Sequence, residues 1–207
     1  MSAFITLQGE GKSELEITKS IFIGHAAPVN GSEEATQFVD RIRSQYPDAK
    51  HNCYAWIVNG SVTMQKYSDD GEPQGTAGLP ILSCLTKPGI SNAAVVVTRY
   101  FGGVLLGKGG LVRAYSEAAS EALKNAGIIE EKSLVTYAFN CDYSLSERIS
   151  YELKAHGYRI DKVSYGADVA FEVTCLDDDK AEFIGFITEL GLGKIVPLKV
   201  NEFVGIF

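Results

Sequence analysis

The chain has 207 residues, 45% of them apolar and 22% charged, with 26 acidic against 19 basic side chains and a net charge of −7. That composition belongs to an ordinary globular protein, long enough for one large domain or for two small ones that each close a core. No apolar run reaches the roughly 18–20 residues of a membrane helix, and the acidic total disfavours a nonspecific nucleic-acid coat.

The N-terminal segment alternates around Phe4, Ile5 and Leu7, then around Leu15, Ile17, Ile21 and Ile23. The Gly9-Glu10-Gly11-Lys12 break between them predicts a hairpin turn. Ser32 ahead of Glu33-Glu34-Ala35 reads as an N-cap with acids in the first helical turn. Phe38, Val39 and Ile42 give that helix a buried face, and Tyr46-Pro47 ends it. Tyr54 to Val58 and Val62 to Tyr67 read as two strands joined by Asn59-Gly60. After a loop from Ser68 to Gly75, a helix is expected from Ala77 to Thr86. Ala93-Ala94-Val95-Val96-Val97-Thr98 is apolar almost throughout, the signature of a strand covered on both faces. From Leu111, the residues Ala114, Tyr115, Ala118, Ala119, Ala122 and Leu123 recur at helical spacing, and Gly127 closes the helix.

The pattern resets through Ile128-Ile129-Glu130-Glu131-Lys132, which predicts a division into domains 1–132 and 136–207. In the second, Val135, Tyr137, Phe139 and Cys141 alternate. A helix then carries Leu145, Ile149 and Leu153, and a strand spans Arg159 to Tyr165. After Gly166, alternation resumes at Val169, Phe171, Val173 and Cys175. Asp177-Asp178-Asp179 starts a helix with Phe183, Ile184, Ile187 and Leu190, and a last strand carries Val196, Leu198 and Val200. The order is βαββαβ, a ferredoxin-like unit. The fold class expected for the whole is two-domain, α+β/α/β.

Cys53, Cys84, Cys141 and Cys175 lie far apart with no C-x-x-C pair, so no metal cluster and no cofactor is implied. They read as small core residues of a reducing compartment. Met1-Ser2-Ala3-Phe4 shows no basic segment followed by an apolar stretch, so the expectation is a cytoplasmic protein.

Charge is unevenly placed. Residues 1–135 carry 12 Lys/Arg against 14 Asp/Glu, and residues 136–207 carry 7 against 12. From Pro73 to Ser116 there are Lys87, Arg99, Lys108 and Arg113 and no acid, a candidate anion site. The segment Gly102 to Gly109 fits G-x-x-x-x-G-K, but Gly109 stands where a nucleotide-hydrolysing loop needs a magnesium-holding hydroxyl. Strand, loop and helix are still in the right order for anion capture. Gly102, Gly103, Gly107, Gly109 and Gly110 let backbone N–H groups approach an oxyanion at a helix N-terminus; tight turns alone are the plainer reading. Arg113 falls in the first turn of the expected helix, where a cation is disfavoured by roughly 0.3–1 kcal/mol. Arg99, Lys108 and Arg113 therefore call for a carboxylate from elsewhere in the fold or a phosphate from outside. Asp69, Asp70 and Glu72 are the internal choice. The same acids could hold magnesium or act as a base, or simply form a turn with Gly71 and Pro73. Lys50 and His51 are possible auxiliary contacts to a phosphate.

Lys50-His51-Asn52-Cys53-Tyr54-Ala55, Ser68-Asp69-Asp70-Gly71-Glu72-Pro73 with Gly75-Thr76-Ala77-Gly78, and Val97-Thr98-Arg99-Tyr100-Phe101-Gly102-Gly103 with Leu106-Gly107 together resemble the IMPACT family, in its bacterial YigZ branch. The resemblance implies a first domain like the second domain of a small-subunit ribosomal protein and a second domain similar to those of elongation factor G. Eukaryotic relatives carry a different N-terminal module, lack this C-terminal domain, and bind a ribosome-associated activator of a starvation-responsive kinase. An association with translation is what carries over. The expected function is a regulatory or accessory protein that binds RNA, the ribosome or a translation-related protein through the glycine-rich basic site, with a phosphate-containing ligand in view. The alternative is a metal-assisted enzyme acting on a nucleotide or phosphorylated small molecule.

Overall fold

Alternating apolar residues become sheet where helices can cover them. The computed structural model describes residues 4–207, in two units, Phe4–Glu130 and Glu131–Phe207. The first contains β1 (Phe4–Leu7), β2 (Gly11–Ile17), β3 (Ser20–Pro28), α1 (Ser32–Gln45), β4 (His51–Val58), β5 (Met64–Ser68), α2 (Gly78–Thr86), β6 (Ala93–Tyr100) and α3 (Gly107–Ala126). Its main sheet runs β2-β3-β6-β4-β5, antiparallel at every pairing.

β6 is the middle strand, and its two faces feed two cores. Ala93, Val95 and Val97 pack with α2 and α3, while Ala94 and Val96 pack with Ala35, Phe38, Val39 and Ile42 of α1. Helices on both sides make the strand apolar throughout, which imitates the sequence of a parallel α/β strand. The α/β part of the expected class is corrected by the register: both units are α+β, with antiparallel sheets.

Three local expectations also change. The hairpin turn lies at Thr18-Lys19, with φ of 51° and 64°, and not at Gly9–Lys12. Gly11 opens β2 against α3, where an added Cβ would come within 2.3 Å of the Ala122 carbonyl oxygen. The residue ahead of α1 is Gly31, and Ser32 is its first helical residue. The β4–β5 connection is longer than a two-residue Asn-Gly turn, and Val62 is exposed within it.

The second unit contains β7 (Ile128–Cys141), α4 (Tyr143–Ala155), β8 (Arg159–Tyr165), β9 (Val169–Leu176), a 3-10 turn (Asp177–Asp179), α5 (Lys180–Leu190) and β10 (Leu198–Gly205). β7 starts before the division and runs on as one strand through the segment where the hydropathy pattern resets. Strand order is β10-β7-β9-β8, all antiparallel, which realises the βαββαβ arrangement. Tyr137, Phe139, Phe171, Val173, Ile149, Leu153, Phe183 and Ile187 fill its core. Val196, Leu198 and Val200, expected inside, are exposed, because β10 is an edge strand and Val196 precedes it. Among the described residues no helix is long and apolar enough to cross a membrane.

Candidate functional site

The acidic loop between β5 and α2 is held from within. Asp69 accepts backbone N–H groups from Gly75 at 2.9 Å, Ala77 at 3.0 Å and Gly78 at 2.9 Å, so it satisfies the start of α2. Burial pushes its carboxyl up, but these three donors outweigh it and hold the group below the ordinary carboxylate value. Asp70 accepts the Asn52 N–H at 2.7 Å and the Arg43 guanidinium at 3.1 Å. Its own carbonyl accepts from His51 Nδ1 at 2.8 Å, so that nitrogen carries the ring proton. His51 is thus a strut for the loop, and the exposed Lys50 beside it takes no part.

Glu72 goes deepest. Its Oε1 accepts from Arg99 Nη1 at 2.6 Å and from the Tyr115 hydroxyl at 2.8 Å, and the two charged side chains are 3% and 7% exposed. Arg99 lies against the rings of Phe22 and Phe101, with its guanidinium carbon 5.4 and 5.5 Å from their centroids. Phe22 in turn meets Tyr115 edge-on at 5.2 Å. Arg99 Nε is buried without a hydrogen-bond partner among the described residues. Burial, then the neighbouring Cys53 and Glu72, push the Tyr115 phenol up, so it stays protonated and donates. Burial likewise pushes the Cys53 thiol up; its sulfur donates to the Asp69 carbonyl at 2.9 Å and is not a nucleophile. Arg99 is therefore corrected from a surface anion ligand to an internal cation, because the middle strand of a doubly covered sheet has no water to offer it.

Beyond Arg99 the chain turns outward. Phe101 is 54% exposed, Val104 43% and Leu105 86%. Gly102 permits a close approach: a Cβ there would lie 2.0 Å from the backbone of Lys19 in the β2–β3 turn, and its N–H donates to Ser20 Oγ at 3.1 Å. Gly103 follows in the loop. Gly107 enters α3 with φ of 68°, a conformation side chains resist. The helix starts at Gly107, earlier than expected, so Lys108, Gly109 and Gly110 form its first turn and Arg113 belongs to the second. That corrects the placement of Arg113: the first-turn cation is Lys108. No acid sits in this turn and no side chain caps it. Lys108 and Arg113 are exposed and, among the described residues, form no ion pair; Arg113 Nε donates only to Gly109 O at 3.3 Å.

The structure thus separates what the positive stretch suggested was one cluster. Arg99 and Glu72 are the buried centre of a clasp, with Asp69, Asp70 and His51 half-buried around them, that ties the 68–76 loop to β4, β6 and α3. Phe101, Val104, Leu105, Lys108 and Arg113 form an exposed rim along the loop and first turns that follow β6. Sequence reasoning missed Arg43, Asn52 and Tyr115. The signal for Tyr115 was a hydroxyl on an otherwise apolar helical stripe, which has to find a partner once buried.

The Impact N-terminal domain model matches residues 18–123, and a domain of unknown function, DUF1949, matches residues 139–194. The chain is 37% identical over 194 residues to IMPACT family member YvyE of Bacillus subtilis (strain 168), covering 94% of this chain and 89% of that one. It is 36% identical over 189 residues to IMPACT family member YigZ of Escherichia coli (strain K12), covering 90% and 93%. A crystal structure described as that of a hypothetical protein superimposes with a TM-score of 0.62 at 33% identity, covering 97% of this chain and 98% of that one.

Proposed function

This chain belongs to the IMPACT family, and from that premise we propose a translation-associated regulatory or accessory protein that works by binding a partner at the rim from Phe101 to Arg113. The observation that carries the reading is the pairing of exposed Phe101, Val104 and Leu105 with two cations, Lys108 and Arg113, that form no ion pair among the described residues. Apolar side chains standing in water gain by meeting apolar atoms, at about 25 cal/mol per Å² covered. The cations and the uncapped amides of α3 ask for negative oxygen at the same place. An acidic protein surface on or near the ribosome supplies both. RNA phosphate supplies the charge alone, and the net charge of −7 opposes it.

Co-sedimentation with ribosomes tests this. Lys108→Glu with Arg113→Glu is expected to abolish retention at low salt, and Leu105→Asp to abolish it at any salt. If both variants pellet like the parent chain, the rim is not the binding surface. A steep linear fall of log affinity with log salt would assign the contact to RNA phosphate instead.

The metal-assisted enzyme reading needs free oxygens on Asp69, Asp70 or Glu72. Asp69 and Asp70 have both carboxylate oxygens engaged, and Glu72 has Oε1 occupied twice. A nucleotide that raises the melting temperature only with magnesium would restore that reading.

A further inference from the structure

β10 is an edge strand of the second unit: it pairs with β7, and no other strand meets it among the described residues. A free edge offers unpaired N–H and C=O groups, and proteins blunt it with proline, repeated charge or a very short strand. β10 runs for eight residues, Leu198–Gly205, without a proline. Val196, Leu198, Val200, Val204, Ile206 and Phe207 stand exposed in and around it, Leu198 at 67%. An apolar edge of this length calls for another strand.

Its charges decide which strand fits. Lys199 and Glu202 are the only charged residues of β10 and are ion-paired to each other. The register with β7 sets Lys199 opposite Tyr137 and Asn201 opposite Thr136, so Val200 is the extra residue of a β-bulge. On a regular strand, residues three positions apart fall on opposite faces. The bulge instead puts Lys199 and Glu202 on one face, with Tyr137 and Val135, and leaves Leu198 and Phe203 together on the other, with Ala138 and Leu134.

We propose that β10 pairs antiparallel with β10 of a second copy of this chain, about a two-fold axis through the Val200–Asn201 link. Reversing the strand turns positive-then-negative into negative-then-positive, so β10 is its own complement. In that register Lys199 meets Glu202 of the second copy and Glu202 meets its Lys199, while Leu198 meets Phe203, again twice. Opposed residues must lie on the same face of the joined sheet, and in this register the bulge is what places them there. The contact is isologous and closed, and it covers both free edges at once. A foreign strand needs the same order of charges to fit as well; a second copy carries it by identity.

The test is sedimentation equilibrium of the full chain over a concentration series, where the parent chain should reach a dimer. Lys199→Glu and Glu202→Lys, each alone, set like charges against each other and should weaken that dimer about tenfold or more. Mixing the two variants should restore association, because each supplies the charge the other lacks. Both exchanges on one chain, Lys199→Glu with Glu202→Lys, should restore it without a mixture. Both side chains stand half in water, so thermal unfolding followed by circular dichroism should change little. The proposal is overturned if the parent chain stays monomeric up to about 1 mM, if neither reversal weakens the dimer, or if the mixture associates no better than either variant alone.

Discussion

Arg99 and Lys108 come from the same acid-free stretch, yet one ends inside the protein and the other outside. Arg99 sits on the middle strand of a sheet covered by helices on both faces, so its charge had to meet Glu72 and its hydrocarbon had to meet Phe22 and Phe101. Lys108 sits where the chain has left the sheet and a helix begins, so water serves it. Equal charge in the sequence does not mean equal availability. The buried cation holds loops together, and the exposed one is free to meet something else.

The strongest way to break this contrast is Glu72→Ala. It leaves Arg99 buried without a counter-charge and should cost about 3–5 kcal/mol. Urea unfolding followed by Trp56, the only tryptophan and a buried residue of β4, reports on this unit. Pairing the change as Arg99→Met with Glu72→Leu should recover much of the loss. A single-variant cost below about 1 kcal/mol would mean the pair is no clasp.

Tyr115→Phe comes next. It removes one donor from a charged acceptor that keeps its arginine, with an expected loss of about 1.5–3 kcal/mol. Asp69 sharpens the contrast through pH. Its folded carboxyl titrates below the unfolded one, so its contribution is full above the ordinary carboxylate value and is lost as pH falls through the folded value. Asp69→Asn should therefore be less stable at neutral pH and show a flatter acid limb below about pH 4. An unchanged acid limb would mean that the loop acid does not drive it. Lys108→Glu has the smallest effect and the opposite sign. An acid in the first turn of α3 should leave stability unchanged or raise it by about 0.3–1 kcal/mol, while partner retention falls.

Much of the architecture was readable. Gly127 closes α3 as expected, with φ of 76°, and the alternation at Val169, Phe171, Val173 and Cys175 is the inward face of β9. The β2–β3 turn was not readable, because Thr18 and Lys19 adopt left-handed backbone without the Asn or Gly that announces it. The first turn of α3 was hidden for the converse reason: Gly109 and Gly110 look like a loop, yet they already lie in the helix, which Gly107 enters with a left-handed φ of 68°. The acids of the 68–76 loop were found as candidates, but whether they faced metal, substrate or protein depended on groups far away in the chain.

By itself the sequence determined the order of elements, the doubly covered central strand, most of the core of each unit and the motifs of the family. Those follow from local spacing, since period and side-chain type act over a few residues. The tertiary structure alone decided that Glu72 and Tyr115 converge on one oxygen with Arg99 while Lys108 and Arg113 stay clear of them. Ion pairing depends on distance in space and on exclusion of water, and both arise only when strands and helices distant in sequence pack together.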